Sequence, residues 1–253
     1  MKNSSIEAQL AHRRGNYGFD ALYVPVMLAA VGIIFLTLGL FAVLQHTSLL
    51  FAVFEIAYGV FMLLSTASYI YTTRRGKFLE WAKILAHLNL RGDEHILDLG
   101  CGRGMVLLMA ASLLLRGRAT GIDLWKTGDQ SGNATSTTRH NAELEGVIER
   151  IELHTVDMQA LPFADNSFDI VLSSLAIHNI PDRSGREKAL SEAVRVLKPG
   201  GRIIVADFRE TNNYAECLRR LGMLDVAHRV LGWRFWYGGP WTATKLVSAV
   251  KPT

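Results

Sequence analysis

The pattern of apolar and polar positions divides the chain into two unlike parts. Leu22 to Leu44 carry no charged side chain, and Leu49 to Tyr71 carry one, Glu55. At 1.5 Å rise per residue each run makes a helix of roughly 34 Å, long enough for a hydrocarbon core of about 30 Å. A cleaved leader has a shorter apolar stretch and no second run directly behind it. The pattern therefore predicts two membrane-crossing helices joined by Gln45-His46-Thr47-Ser48. Beyond Gly76 the period changes. Phe78, Trp81, Ile84, Leu85 and Leu88 recur at helical spacing and predict an amphipathic helix. Short apolar blocks then alternate with helical segments. Strands are expected at His95–Leu99, Ala119–Leu124, Ile151–Asp157, Phe168–Ser173 and Arg202–Asp207. Helices are expected at Met105–Leu115, Ala134–Glu145, Glu187–Leu197 and Tyr214–Leu221. That alternation implies βαβ units, hence a parallel sheet with helices on both faces. Two further strands, Val226–Tyr237 and Thr242–Val250, flank Gly238-Gly239-Pro240 and are expected to pair antiparallel. Residues 1–21 are polar and read as irregular, apart from a turn at Asn16–Asp20.

Charge orients this arrangement. Arg13 and Arg14 precede the first apolar run, Arg74, Arg75 and Lys77 follow the second, and the connecting turn has no Lys or Arg. Basic flanks stay on the cytoplasmic side. The expectation is a multi-pass protein of an inner or plasma membrane: a cytoplasmic segment 1–21, a transmembrane hairpin 22–71, and a cytoplasmic domain 72–253. Gly32 and Gly39 share one helix face, which favours close helix packing and leaves room for self-association through the hairpin. Glu55 lies about 24 Å from Tyr71 along the helix axis, too far to serve a cytoplasmic site, so a helix-packing role is expected. The net charge of +4 is mild, and no Lys/Arg run suggests a nucleic-acid partner. Two cysteines, Cys101 and Cys217, support neither a disulfide framework nor a metal site.

The sharpest chemical signal is Ile96-Leu97-Asp98-Leu99-Gly100-Cys101-Gly102-Arg103-Gly104, a strand running through a glycine turn into a helix. Glycines let a ligand approach the backbone with no Cβ in the way. The spacing is G-x-G-x-G, and Asp98 stands two residues ahead of it. A pyrophosphate would be repelled by that carboxylate, and a cationic ligand end would be attracted. Asp123 closes the next strand, where a carboxylate can accept both hydroxyls of a ribose. Asp157 ends the third strand and is followed by Met158, and the pair could meet an adenine.

The ordered set DLGCGRG, GID, VDMQALPF, FDIVLSS and VLKPGG resembles the class I S-adenosylmethionine-dependent methyltransferases over residues 77–253. The resemblance implies a doubly wound, Rossmann-like α/β fold: a seven-stranded sheet of order 3-2-1-4-5-7-6 with strand 7 antiparallel. It implies S-adenosyl-L-methionine as methyl donor. Asp98, Gly100, Cys101 and Gly102 would meet its methionine end. Asp123, with Leu124 beside it, would hold the ribose, Asp157 and Met158 the adenine, and Ser173 would lie under the sulfonium. His178, in the loop after the fourth strand, is the candidate for proton transfer or substrate positioning. Tyr17 is a candidate for a lid contributed by the N-terminal segment. The expected acceptor is a lipophilic or other small molecule, with a thiol, a metalloid species, or a non-catalytic assembly role as alternatives.

Overall fold

The computed structural model describes residues 2–126 and 131–253. Among them, seven strands form one sheet: β1 (His95–Leu99), β2 (Arg118–Asp123), β3 (Ile151–Thr155), β4 (Phe168–Ser174), β5 (Leu197–Asp207), β6 (Leu224–Val230) and β7 (Lys245–Val250). Their spatial order is β3-β2-β1-β4-β5-β7-β6. The first five run parallel, and β7 is antiparallel to both neighbours. This is the order that the motif set implied. Strand β1 shows why the centre is so apolar. Leu97 and Leu99 meet Val171, Ile203, Leu190 and Leu218 on one face. Ile96 meets Trp81, Leu107 and Leu172 on the other. Each such fully buried side chain contributes about 1.5–3 kcal/mol. Both faces of the sheet are covered, so an alternating strand pattern would have left polar groups in the core.

The helices are α1 (Lys2–Ala11), α2 (Tyr23–Leu44), α3 (Leu49–Tyr71), α4 (Lys77–His87), α5 (Met105–Ser112), α6 (Thr135–Glu145), α7 (Arg183–Val196) and α8 (Thr211–Arg220). Helices α2 and α3 are long and apolar enough to cross a membrane, and both remain mostly exposed. They pack as an antiparallel pair through their glycines. A side chain at Gly39 would come within 2.6 Å of Ile56, and one at Gly32 within 2.9 Å of Leu63. Glu55 is buried on the same face of α3 as Ala52 and Gly59. Its Oε2 has no hydrogen-bond partner.

Several boundaries differ from expectation. The N-terminal segment opens with helix α1 rather than irregular chain. Thr72–Gly76 do not break the second apolar helix. They form a π-helical turn that carries α3 directly into α4. Strand β3 ends at Thr155, two residues short of Asp157. Strand β6 ends at Val230, so the aromatic residues from Trp233 to Trp241 lie in a long connection with two 3-10 turns, not in strands. Gly232, Gly238, Gly239 and Pro240 deny that segment a continuous extended run.

Candidate active site

The carboxyl ends of β1, β2, β4 and β5 meet along one edge of the sheet, because Leu99 pairs with Ile122 and Ser173, and Ser174 with Ala206. The glycine turn leaves β1 at this edge. Gly100, Gly102 and Gly104 all adopt left-handed backbone. That conformation costs an L-side chain about 1–2 kcal/mol. A Cβ at Gly100 would also collide with Ala176 in the loop after β4. The turn is pinned from β2: the amides of Gly100 and Cys101 donate to Ile122 O at 2.9 and 3.0 Å.

Asp98 is 1% exposed, and neither carboxylate oxygen has a hydrogen-bond partner. Burial, opposed by the Leu107 amide and joined by a smaller push from Asp123, raises its carboxyl to about 7. A carboxylate held this way lacks a cationic partner. Cys101 is buried beside it, and burial raises its thiol well above the usual value, so it stays protonated and inert. Asp123 Oδ2 accepts from Gly102 N at 2.8 Å, and Oδ1 accepts from Trp125 N at 2.6 Å and Asn133 Nδ2 at 3.2 Å. Leu124 stands exposed next to it. Met158 reaches over the turn, its methyl 3.5 Å from where a Gly100 Cβ would lie. Asp157 is exposed and accepts from Gln159 N at 2.9 Å. Glycine turn, Asp98, Asp123 and Met158 are therefore one cluster, with Asp157 on its rim.

Ser173 and Tyr17 are both turned inward. Ser173 is fully buried and donates to Leu99 O at 3.0 Å, so it ties β4 to β1 instead of facing the opening. Strand alternation places Ser174 on the opposite face, where it accepts from Trp81 Nε1 at 2.9 Å. Tyr17 is 5% exposed, and its hydroxyl donates to Glu145 Oε1 at 2.8 Å. Burial and the Glu145 charge push its phenol upward. It is a docking residue for the N-terminal segment rather than a group offered to a reactant. That segment does lie across the glycine turn. Asn141 accepts from Asn16 N and donates to both Asn16 O and Arg103 O, each at 2.9 Å. Phe19 N donates to Ser131 Oγ at 3.0 Å.

His178 sits in a 3-10 turn after β4, with Nδ1 2.8 Å from Asp207 Oδ1 at the end of β5. The two atoms are close, but Nδ1 makes no hydrogen bond. Sequence reasoning missed Asp207. Its signal was position, a carboxylate ending a parallel strand on the ligand edge.

Apart from this cluster, a groove of about 520 Å³ lies between α3 and the last connection, walled by Phe61, Leu64, Tyr71, Trp233, Trp236 and Trp241. Thr72 Oγ1 donates to Trp236 O at 2.6 Å and Ser68 Oγ to the same oxygen at 3.2 Å, fastening the connection to the helix.

Comparison with known proteins bears directly on the glycine cluster. Residues 97–205 match the family model of a methyltransferase domain. The match runs from β1 into β5 and takes in every residue of the cluster. A sterol 4-C-methyltransferase of Caenorhabditis elegans is 33% identical over 131 residues, covering 52% of this chain and 36% of that protein. A demethylmenaquinone methyltransferase of Lactiplantibacillus plantarum is 32% identical over 131 residues, covering 51% and 52%. The chain thus spans about half or less of the length of these relatives. Among solved structures, geranyl diphosphate C-methyltransferase of Streptomyces coelicolor A3(2) superposes with a TM-score of 0.55 at 15% identity, covering 69% of this chain and 79% of that one. The [4+2]-cyclase SpnF superposes at 0.57 with 21% identity, covering 70% and 83%. The fold is that of the class I S-adenosylmethionine-dependent methyltransferases. The cyclase shows that the fold alone does not dictate methyl transfer. The family match is to a methyltransferase domain and covers residues 97–205.

Proposed function

We propose that this chain is a membrane-anchored methyltransferase that transfers a methyl group from S-adenosyl-L-methionine to a lipophilic acceptor. The observation that carries the reading is Asp98: a buried carboxylate with no partner, directly under a left-handed glycine turn, in a sheet of this order. A cationic ammonium is the partner such a group lacks. Bound S-adenosylmethionine supplies a methyl group already activated by its sulfonium. Asp98 and the turn Gly100–Gly102 hold the methionine end, Asp123 the ribose hydroxyls, and Asp157 with Met158 the adenine. Asp123 keeps lone pairs to spare beyond its three internal hydrogen bonds. The N-terminal strap through Asn16 and Phe19 covers the turn and excludes water from it. Alignment of the reacting atoms is worth about 7–11 kcal/mol.

Helices α2 and α3 are read as a membrane hairpin with both ends cytoplasmic, supported by their length, their exposed apolar surface and the flanking arginines. The continuous α3–α4 helix then fixes the domain against the bilayer, since Trp81 of α4 lies in its core. Trp241 packs tilted against Phe61 at 5.3 Å, and Trp233 stacks on Tyr71 at 5.2 Å. Phe61 and Tyr71 are ten residues apart, about 15 Å along the helix. The aromatic connection therefore runs from the inner end of the hairpin, where tryptophans are favoured, to about the midpoint of α3. The relatives' names favour this acceptor class: a sterol, a menaquinone precursor and a prenyl diphosphate are each lipophilic. The test is incubation of the purified full-length protein with methyl-labelled S-adenosylmethionine and a fractionated lipid extract. Label in an apolar fraction supports the proposal. Label only in water-soluble thiols or metalloids refutes the acceptor class.

A further inference from the structure

We propose that the groove between α3 and the aromatic connection binds an anionic phospholipid of the inner leaflet, with one acyl chain in the groove and the phosphate at Arg234 and Arg75. The inference rests on the reading of α2 and α3 as a membrane hairpin, and it does not require the lipid to be the methyl acceptor. The groove matches the parts of such a lipid at three depths. Its deep end is apolar: Leu64 and Trp241 are exposed there, and Trp241 packs against Phe61 at 5.3 Å. Phe61 lies about 15 Å along the helix from Tyr71, half of a hydrocarbon core of about 30 Å, so the groove runs the depth of one leaflet. A plain helix face meets lipid on one side only. Here α3 and the connection wall a chain from two sides, in a volume of about 520 Å³. Van der Waals packing, not exclusion from water, is what holds a chain at this depth.

The middle offers a hydrogen-bond donor. Thr72 Oγ1 and Ser68 Oγ both donate to Trp236 O, which sets Trp236 at the inner end of α3. Trp236 lines the groove, and its Nε1 is buried with no hydrogen-bond partner among the described residues. A buried indole N–H normally finds an acceptor. At this depth, the boundary of the hydrocarbon core, a glycerol ester supplies the oxygen it lacks.

The inner end is cationic. The Arg234 guanidinium lies 5.6 Å from the Trp233 ring centroid, and Trp233 stacks on Tyr71 at 5.2 Å. Glu80 Oε1 stands 3.8 Å from Arg234 Nη1, beyond hydrogen-bond length, and the arginine side chain stays 47% exposed. Its planar fork suits a phosphate. Arg75 is exposed and follows Tyr71 by four residues in the same continuous helix, one turn nearer the cytoplasm. Arg74 is engaged elsewhere, its guanidinium 5.6 Å over Phe19. Basic side chains just inside a membrane helix favour anionic headgroups. A phosphatidylcholine head brings its own cation to these guanidiniums, and a phosphatidylglycerol head does not.

The test is tryptophan quenching in the full-length protein reconstituted into phosphatidylcholine vesicles. Trp233, Trp236 and Trp241 line the groove, so lipids with brominated acyl chains, which quench on contact, report its occupancy. Brominated phosphatidylglycerol is compared with brominated phosphatidylcholine at equal mole fraction. The apparent affinity for phosphatidylglycerol should be higher by about fivefold or more. Arg75→Gln combined with Arg234→Gln should bring the two lipids level. Ala67→Phe, which adds a ring to an exposed position of the groove wall, should lower quenching by brominated phosphatidylglycerol to the phosphatidylcholine level. Thermal transitions check the folding of each variant. Equal quenching by the two lipids in the wild type overturns the proposal. So does a preference that survives loss of both arginines, or one that survives in folded Ala67→Phe. If Ala67→Phe does not fold, the arginine variants decide. Protein stripped from the vesicles by carbonate refutes the hairpin reading and the lipid site with it. Protein that resists carbonate and shows no preference refutes the lipid site alone.

Discussion

Tyr237, in the last long connection of the chain, donates its hydroxyl to Asp20, in the first, at 2.8 Å. The same carboxylate oxygen takes Lys77 Nζ at 2.6 Å, and the Asp20 carbonyl takes the Tyr69 hydroxyl at 2.9 Å. One residue thus joins the strap over the glycine turn, the end of α3, the start of α4 and the aromatic connection. The Lys77 side chain is 3% exposed and the Asp20 side chain 18%.

Asp20→Asn leaves that lysine buried beside a neutral amide. Breaking a buried pair from one side costs about 3–5 kcal/mol. The strap should loosen, and trypsin should cut after the exposed Arg14 at least ten times faster. Asp20→Asn combined with Lys77→Met should restore much of the protection. Unchanged cleavage in the single variant would show that Asp20 does not hold the strap.

Asp98 gives a pH signature. Its carboxyl stands at about 7 in the folded chain against an ordinary 3.8. A raised acid contributes its stability in full below the unfolded value. That contribution is lost as pH climbs from about 4 to about 7, a loss of roughly 4 kcal/mol by linkage. Asp98→Asn escapes it. The variant should melt above wild type at pH 8, with the gap narrower at pH 5 and closed near pH 4. A gap of equal size at both pH values contradicts the buried, partnerless carboxyl. The same shift predicts that affinity for S-adenosylmethionine rises with pH up to about 7 and then levels, because an ammonium binds the ionised form.

Topology can be read with single cysteines placed at exposed positions. Thr47 lies in the turn between α2 and α3, and Arg75 in the π-helical turn. In sealed right-side-out vesicles, Thr47→Cys should react with an impermeant thiol reagent and Arg75→Cys only after permeabilisation. Reaction at Arg75→Cys from outside reverses the hairpin, and reaction at both from outside removes it from the membrane.

Much of this was legible in the sequence, and the exceptions share a cause. Strands β1 and β4 are short apolar blocks between clear punctuators, and Asp98 and Asp123 announce themselves by their place around glycines. Arg74-Arg75-Gly76 read as a helix end. Yet Gly76 is there because the Arg234 carbonyl lies where a side chain would be, and the chain stays helical. Trp233–Tyr237 read as the end of a strand, but β6 stops at Val230, ahead of Gly232. The His178–Asp207 contact depends on the register between β4 and β5, which no local pattern specifies. Ser173 was placed under the sulfonium by motif position alone, and which way its side chain faces depends on strand alternation, which the motif does not state.

The most direct test is a calorimetric titration of the full-length protein in lipid nanodiscs. S-adenosylmethionine and its demethylated product should each bind at one site per chain. Asp123→Ala should weaken both by roughly 10- to 150-fold, the loss of a charge-assisted hydrogen bond worth about 1.5–3 kcal/mol. No binding of either compound, or tighter binding of a nicotinamide dinucleotide, would contradict the assignment of this site.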